Sequence, residues 1–207
     1  MVEDGVVLGP GSSVWGHAHL RSGAVVGAGS SIGGGTYVAG GVVVGDRVKV
    51  NAMAYLCSGV TLEDGVMVAA GVVFTNDRHP RATTPDLAAL QTSAVTEETL
   101  PTLVREGATV GARAVVGCGL TLGRWSMVGM GAVVTHDVAD HVLVAGVPAR
   151  PLALVSRAGA SLVRLDAGDP APSGRFSCDR TGEIYDVQAG RVVTVTDGPG
   201  THTWGLS

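Results

Sequence analysis

From Val2 to Phe74 every sixth residue is aliphatic or aromatic, and this single regularity leaves few folds open. The series Val2, Leu8, Val14, Leu20, Val26, Ile32, Val38, Val44, Val50, Leu56, Leu62, Val68 and Phe74 has no exception. It resumes in the same register as Val104, Val110, Val116, Leu122, Val128 and Val134. With 45% of the chain hydrophobic, such a run arises by chance on the order of 10⁻⁷ of the time. Four residues after each of these positions, Phe74 at the break excepted, stands a small or β-branched residue, among them Ala18, Ala24, Ser30, Thr36 and Val42, with Leu120 the one larger member.

A period of six matches neither the 3.6 of an α-helix nor the 2.0 of a simple strand. It fits a chain that runs a short strand, turns sharply and starts the next, so that three hexads close a triangular coil. The large residue then points into the prism and the small one packs near the corner. Glycine directly after the aliphatic position (Gly9, Gly27, Gly33, Gly45, Gly111, Gly117, Gly123, Gly129) is expected to ease the turn. Coils stacked through parallel backbone hydrogen bonds at roughly 4.8 Å give about six coils and a prism near 30 Å long. The expected fold is all-β: a left-handed parallel β-helix of hexapeptide repeats with a long inserted loop and a small C-terminal appendage. Composition agrees, since 32 glycines and only 4% aromatics require a core built from small repeated layers.

A formal charge of −4 gives no reason to expect nucleic acid or an anionic membrane as partner. The segment Met1-Val2-Glu3-Asp4-Gly5 lacks the basic and apolar regions of a secretory leader, and no run is long enough to span a bilayer. Cys57, Cys118 and Cys178 are odd in number and form no CxxC pair, which argues against a disulfide frame or a zinc knuckle and suits a reducing compartment. A cytoplasmic protein is expected.

The β-helix is expected over residues 1–155, interrupted by an insertion at 75–103 that holds Pro80, Pro85 and Pro101. A long excursion from a rigid scaffold is more often functional than accidental. After Val138 the repeat dissolves. The tail, 156–207, contains a composition typical of a linker at 167–174 and two expected strands, 183–187 and 191–195, joined as a hairpin. No chemistry is expected of it.

The break Phe74-Thr75-Asn76-Asp77-Arg78-His79-Pro80-Arg81 and the closing segments Ala132-Val133-Val134-Thr135-His136-Asp137-Val138 and Val144-Ala145-Gly146-Val147-Pro148-Ala149-Arg150 make the region up to about residue 155 resemble a known family. This family is the hexapeptide-repeat N-acetyltransferases of nucleotide-linked 3-amino sugars. The resemblance implies a CoA-dependent enzyme with acetyl-CoA as co-substrate and no metal. The acceptor would be a dTDP- or UDP-linked 3-amino sugar and the assembly a homotrimer, with coenzyme A lying in the cleft between subunits. Asp77 after the asparagine is closer to the dTDP-linked branch.

By the same resemblance Asn76 and Asp77 hold the sugar and its amine. An unperturbed aspartate, with a pKa near 3.9, is a poor base for an amine, so Asp77 is expected to orient the nucleophile. The departing sulfur, as a thiol with a pKa near 8.5, can take the proton. Backbone N–H groups at a corner would serve the oxyanion. Arg81 is expected to contact phosphate or pyrimidine, His79 to stack or pack, and Ser58 and His19 to lie at the acceptor site. Gly131, His136, Pro148 and Arg150 are implied for coenzyme A. His136 replaces a common lysine, Val147 a common asparagine, and Ser58 a carboxylate found in some relatives.

Other readings compete with this one. A γ-carbonic anhydrase shares the fold but needs three histidines around zinc, two of them closely spaced after a longer gap. His17 and His19 are expected to alternate across a strand, and no later pair completes the set, since His136 and His141 are expected beyond the last coils. A non-catalytic scaffold would need neither the break nor the closing segments. Transfer to another small amine, or of a longer acyl group, is the enzymatic alternative.

Overall fold

The computed structural model describes residues 1–92, 94–165 and 173–197. Strands of two or three residues wind into a parallel solenoid with three faces. The first face stacks Val7–Leu8, Val25–Val26, Val43–Val44, Val60–Leu62, Thr102–Val104 and Thr121–Leu122. The second stacks Ser13–Val14, Ser31–Ile32, Lys49–Val50, Met67–Val68, Thr109–Val110 and Met127–Val128, then Val142–Ala145 in parallel and Arg150–Leu154 antiparallel. The third stacks His19–Leu20, Tyr37–Val38, Tyr55–Leu56, Val73–Phe74, Val115–Val116 and Val133–Val134. The hexapeptide repeat fits a left-handed β-helix. Among the described residues no helix is long and apolar enough to cross a membrane.

The every-sixth residues fill the prism. Leu20, Ile32, Val38, Leu56, Leu62, Val68 and Phe74 are all completely buried. Burying each such side chain contributes roughly 1.5–3 kcal/mol, and repetition over successive coils is what stabilises a core almost free of aromatics. The corner hydroxyls of Ser12, Ser30 and Thr36 are satisfied by the neighbouring coil, whereas the buried Ser126 Oγ has no hydrogen-bond partner among the described residues. Ser30 Oγ donates to the Gly45 carbonyl (2.8 Å) and accepts the Val48 amide (2.9 Å), and Thr36 Oγ1 donates to the Asn51 carbonyl (3.1 Å). A buried serine or threonine therefore costs little where that bond is made. In the first coil Val2 and Leu8 are 47% and 44% exposed.

The glycines directly after the aliphatic residues do not make the turn. A Cβ on Gly27 would lie 2.5 Å from the carbonyl group of Gly45, and one on Gly33 2.5 Å from the Ala52 amide, so these glycines let successive coils approach. The turn is made two residues later, where the backbone takes positive φ, at Gly41 (φ 74) and also at His17, Arg47, Met53, Arg113 and Trp125.

The solenoid also continues past the point where the repeat becomes illegible. Val138 bridges Leu122 and Val144 pairs with Val128, both 16 residues on by subtraction, against 18 from Val26 to Val44. The final coil is two residues short, which takes Val138 and Val144 out of the six-residue register while leaving them buried.

Beyond it, Val163–Arg164, Gly174–Ser177, Ile184–Gln188 and Arg191–Thr196 form an antiparallel sheet. Residues 167–172 of the expected linker lie outside the described residues, and Gly174 belongs to a strand. The sheet is tied to the solenoid end by a polar cluster. His141 Nδ1 bonds the Val155 carbonyl (2.9 Å), and its ring meets the fully buried Tyr185 edge-on at 5.4 Å. The Arg157 amide donates to the Tyr185 hydroxyl (2.9 Å), that hydroxyl donates to Glu183 (2.6 Å), and the Arg157 guanidinium pairs with Glu183.

Candidate active site

The insertion leaves the solenoid at the corner after Val73–Phe74 and returns at Thr102–Val104. Both feet are fixed by backbone bonds: the Leu100 amide donates to the Asn76 carbonyl (2.9 Å) and the Thr102 amide to the Gly59 carbonyl (3.0 Å). Between the feet, a bridge from Thr83 to Leu90 and bonds from the Thr84 amide to the Ala89 carbonyl and the Gln91 amide to the Ala82 carbonyl (both 2.9 Å) form a small arm. Its tip side chains, Leu87 and Leu90, are exposed.

Strand register brings four side chains into one column along this corner. Phe74 pairs with Val116 and Val116 with Val134, so Asn76, Cys118 and His136, each two residues on, occupy successive levels, with Ser58 on the level before Asn76. Asn76 is half-buried, and its side-chain amide donates to the Ser58 carbonyl at 3.3 Å. Asp77 is exposed and its carboxylate accepts the His79 amide (2.7 Å), which folds the first residues of the insertion back over the corner. The Arg78 guanidinium lies 3.9 Å from the point a Cβ on Gly119 would occupy.

At the foot of the column a recess of about 460 Å³ opens between the last coil and Arg150–Leu154. Val134, Val138, Val142, Val144 and Ala149 make its floor, and His136, Asp137 and Arg150 stand at its rim. An apolar floor with His136 and Arg150 at the mouth, beside the single carboxylate of Asp137, suits a ligand that is part ring or chain and part phosphate.

The other expected site residues lie apart from this column. Arg81 is exposed and donates to the Pro80 carbonyl (2.8 Å), and the His79 side chain is exposed rather than packed. His19 is three strands above Val73 on the third face, held by Glu3 (2.8 Å) and edge-on to Tyr37. The Glu3 carboxyl is held down to about 2 by the Ser22 amide, His19 and Arg21. His17 sits in the preceding turn at φ 63, so the two histidines do not alternate along one strand. Gly131 is at a turn on the opposite edge of the third face from His136, and Pro148 follows a cis peptide bond beside the recess. Cys118 was not among the residues expected from the sequence. Stepping the aliphatic register past the insertion, from Phe74 to Val116, would have found it.

Fold and turns together define a hexapeptide-repeat β-solenoid. The family model for the hexapeptide repeat of succinyl-transferase matches residues 1–33, 51–76 and 101–136, with one gap inside the solenoid and a second across the insertion. The chain is 40% identical, over 65 residues, to the dTDP-3-amino-3,6-dideoxy-alpha-D-galactopyranose 3-N-acetyltransferase of Aneurinibacillus thermoaerophilus. That stretch is 31% of this chain and 34% of the relative, so the match spans about a third of that protein. The acetyltransferase domain of PglB from Neisseria gonorrhoeae, solved with acetyl coenzyme A, is 25% identical with a TM-score of 0.52, over 72% of this chain and 58% of that one. A hexapeptide-repeat acetyltransferase from Vibrio cholerae, also solved with acetyl coenzyme A, shares the fold at 24% identity and a TM-score of 0.54, over 65% of this chain and 72% of that one.

Proposed function

We propose that the protein is a CoA-dependent N-acetyltransferase whose acceptor is the 3-amino group of a dTDP- or UDP-linked sugar. The observation that carries this is the column at the base of the insertion. Asn76 is fixed against the Ser58 carbonyl, Asp77 is the exposed residue next to it along the chain, and the recess rimmed by His136, Asp137 and Arg150 lies two levels below. Two levels are roughly 10 Å, a span that the pantetheine part of coenzyme A covers. The curated relative acetylates an amino sugar on dTDP, and the acetyltransferase domain from Neisseria gonorrhoeae binds acetyl coenzyme A, which supports the same pairing of substrates here.

In this proposal Asn76 and Asp77 hold the acceptor so that its amine faces the thioester carbonyl. The amine nitrogen forms a bond to the carbonyl carbon, the carbon–sulfur bond breaks, and the leaving sulfur takes the proton released by the amine. A thiol with a pKa near 8.5 is matched to that role, while an ordinary carboxylate is not. Corner amides of the glycine-rich turn at Gly117–Cys118–Gly119 are the available dipoles for the developing oxyanion. His136 and Arg150 contact phosphates of coenzyme A. The working assembly is a cytoplasmic homotrimer. Mixing the protein with acetyl-CoA and a panel of dTDP- and UDP-linked amino sugars tests the proposal through free-thiol release. Release with a 3-amino sugar supports it. No release with any of them, together with bound zinc and CO₂ hydration, replaces it by a carbonic anhydrase.

A further inference from the structure

The third face carries a column of outward side chains that ends abruptly. In strand order it runs His19, Tyr37, Tyr55, Val73. Tyr37 and Tyr55 stack with ring centroids 5.2 Å apart and planes 9° apart. That separation is close to the spacing between strands, so the rings lie across the solenoid axis and each ring face looks along it. One face of Tyr55 is covered by Tyr37. The Tyr37 end is closed in turn by the edge of His19 and by Arg21, whose guanidinium donates to the Tyr37 hydroxyl (3.1 Å). The other face of Tyr55 looks toward Val73, whose side chain is far shorter than a phenol ring. Tyr55 is 44% and Val73 37% exposed, so the phenol ring overhangs an open step. Along the strand, that step is three residues from Asn76.

We propose that the open face of Tyr55, above Val73, is a stacking ledge for a planar nucleobase. A base inserted there continues the column at the spacing by which Tyr55 continues Tyr37, and such stacking tolerates any base because each presents a π-face. This rests on the acceptor assigned above, whose pyrimidine is the natural occupant. The adenine of coenzyme A has the same chemistry, and the test separates the two sources.

Equilibrium dialysis of the full chain against dTDP, UDP and ADP measures the ledge without any turnover. Tyr55→Ala weakens binding of the nucleotide it holds by about 5- to 150-fold, the range that alanine substitution under a stacked base corresponds to. Tyr55→Phe keeps the ring and binds like the parent. Val73→Tyr extends the column, fills the step and abolishes binding while the melting temperature stays within a few degrees. Loss confined to dTDP and UDP assigns the ledge to the acceptor, and loss confined to ADP assigns it to coenzyme A. Unchanged affinity for all three nucleotides in Tyr55→Ala and Val73→Tyr overturns the proposal. So does a changed sedimentation coefficient in those variants, since the face would then meet another copy of the chain. If acetyl transfer is absent but these affinities shift, the ledge stands and the acetyltransferase assignment falls. If transfer occurs and the affinities do not move, the reverse holds.

Discussion

The side-chain amide of Asn76 reaches one level along the solenoid and donates to the backbone carbonyl of Ser58 at 3.3 Å. A single long bond of this kind contributes on the order of 1 kcal/mol to stability. Asn76→Ala is therefore expected to lower the melting temperature by only a few degrees in a chain of this size. Acetyl transfer, which needs the acceptor placed within an ångström, should fall by about 100-fold or more. Steady-state kinetics beside thermal melting separates the two. A melting temperature lower by tens of degrees would make Asn76 a structural residue.

Two kinds of glycine predict two sizes of effect. Gly33→Ala puts a Cβ 2.5 Å from the Ala52 amide nitrogen in the next coil, and backbone cannot yield without separating the coils. Gly41→Ala meets nothing within 4 Å and is strained only by its φ of 74. Urea denaturation should show a loss of about 3 kcal/mol or more for the first and about 1–2 kcal/mol for the second. Equal losses would mean that coil contact is not what selects glycine at position 33.

The contrast between these glycines also marks how far the fold could be read from sequence. The inward register from Val2 to Val134 was legible because stacking forces the same residue size at the same place in every coil. The function of the glycines was not, since close approach and positive φ select the same residue. The last coil was hidden by its shortening: Val138 and Val144 keep the pattern in space and lose it in sequence. In the tail, Val163–Arg164 and Gly174–Ser177 are too short to alternate visibly, whereas Ile184–Gln188 is longer and alternates, and Arg191–Thr196 is a longer run of valine and threonine. At the candidate site Asn76 stood out at the break. Its neighbours Cys118 and His136 are brought to it only by register across an insertion of arbitrary length.

His141 predicts a pH dependence. Its ring is buried between the Val155 carbonyl and Tyr185, with Asp140, Arg157 and Glu183 the charged groups nearby, and burial lowers its pKa below the ordinary value of 6.5. The folded protein then binds fewer protons than the unfolded chain. His141 costs nothing above pH 6.5, and stability falls as pH drops from 6.5 to the lowered folded value. Chemical denaturation at pH 7.5, 6 and 5 should show a decline that His141→Asn, which tolerates the positive φ, flattens. An unchanged slope in the variant would place the proton uptake elsewhere.

The cysteines predict a selective modification. Burial pushes the Cys57 thiol up to about 11. At Cys178 burial is outweighed by hydrogen bonds with Ser156 and Thr181 that lower its thiol, but the residue is inaccessible, while Cys118 is partly exposed beside Asn76. Iodoacetamide at neutral pH should label Cys118 first, because the thiolate is the reacting form and access limits it. Peptide mass mapping locates the label. Saturating acetyl-CoA should slow it at least several-fold, and labelling at an unchanged rate would separate Cys118 from the binding cleft.

The most direct test of the account is the structure of the product. With acetyl-CoA and a dTDP- or UDP-linked 3-amino sugar, NMR of the recovered nucleotide sugar should show one acetyl group on the 3-nitrogen, with one equivalent of free coenzyme A. The matching 3-hydroxy sugar should return unmodified. Acetylation of the hydroxy sugar at a similar rate, or of neither sugar, would contradict the assignment of the Asn76 corner as an amine-acceptor site.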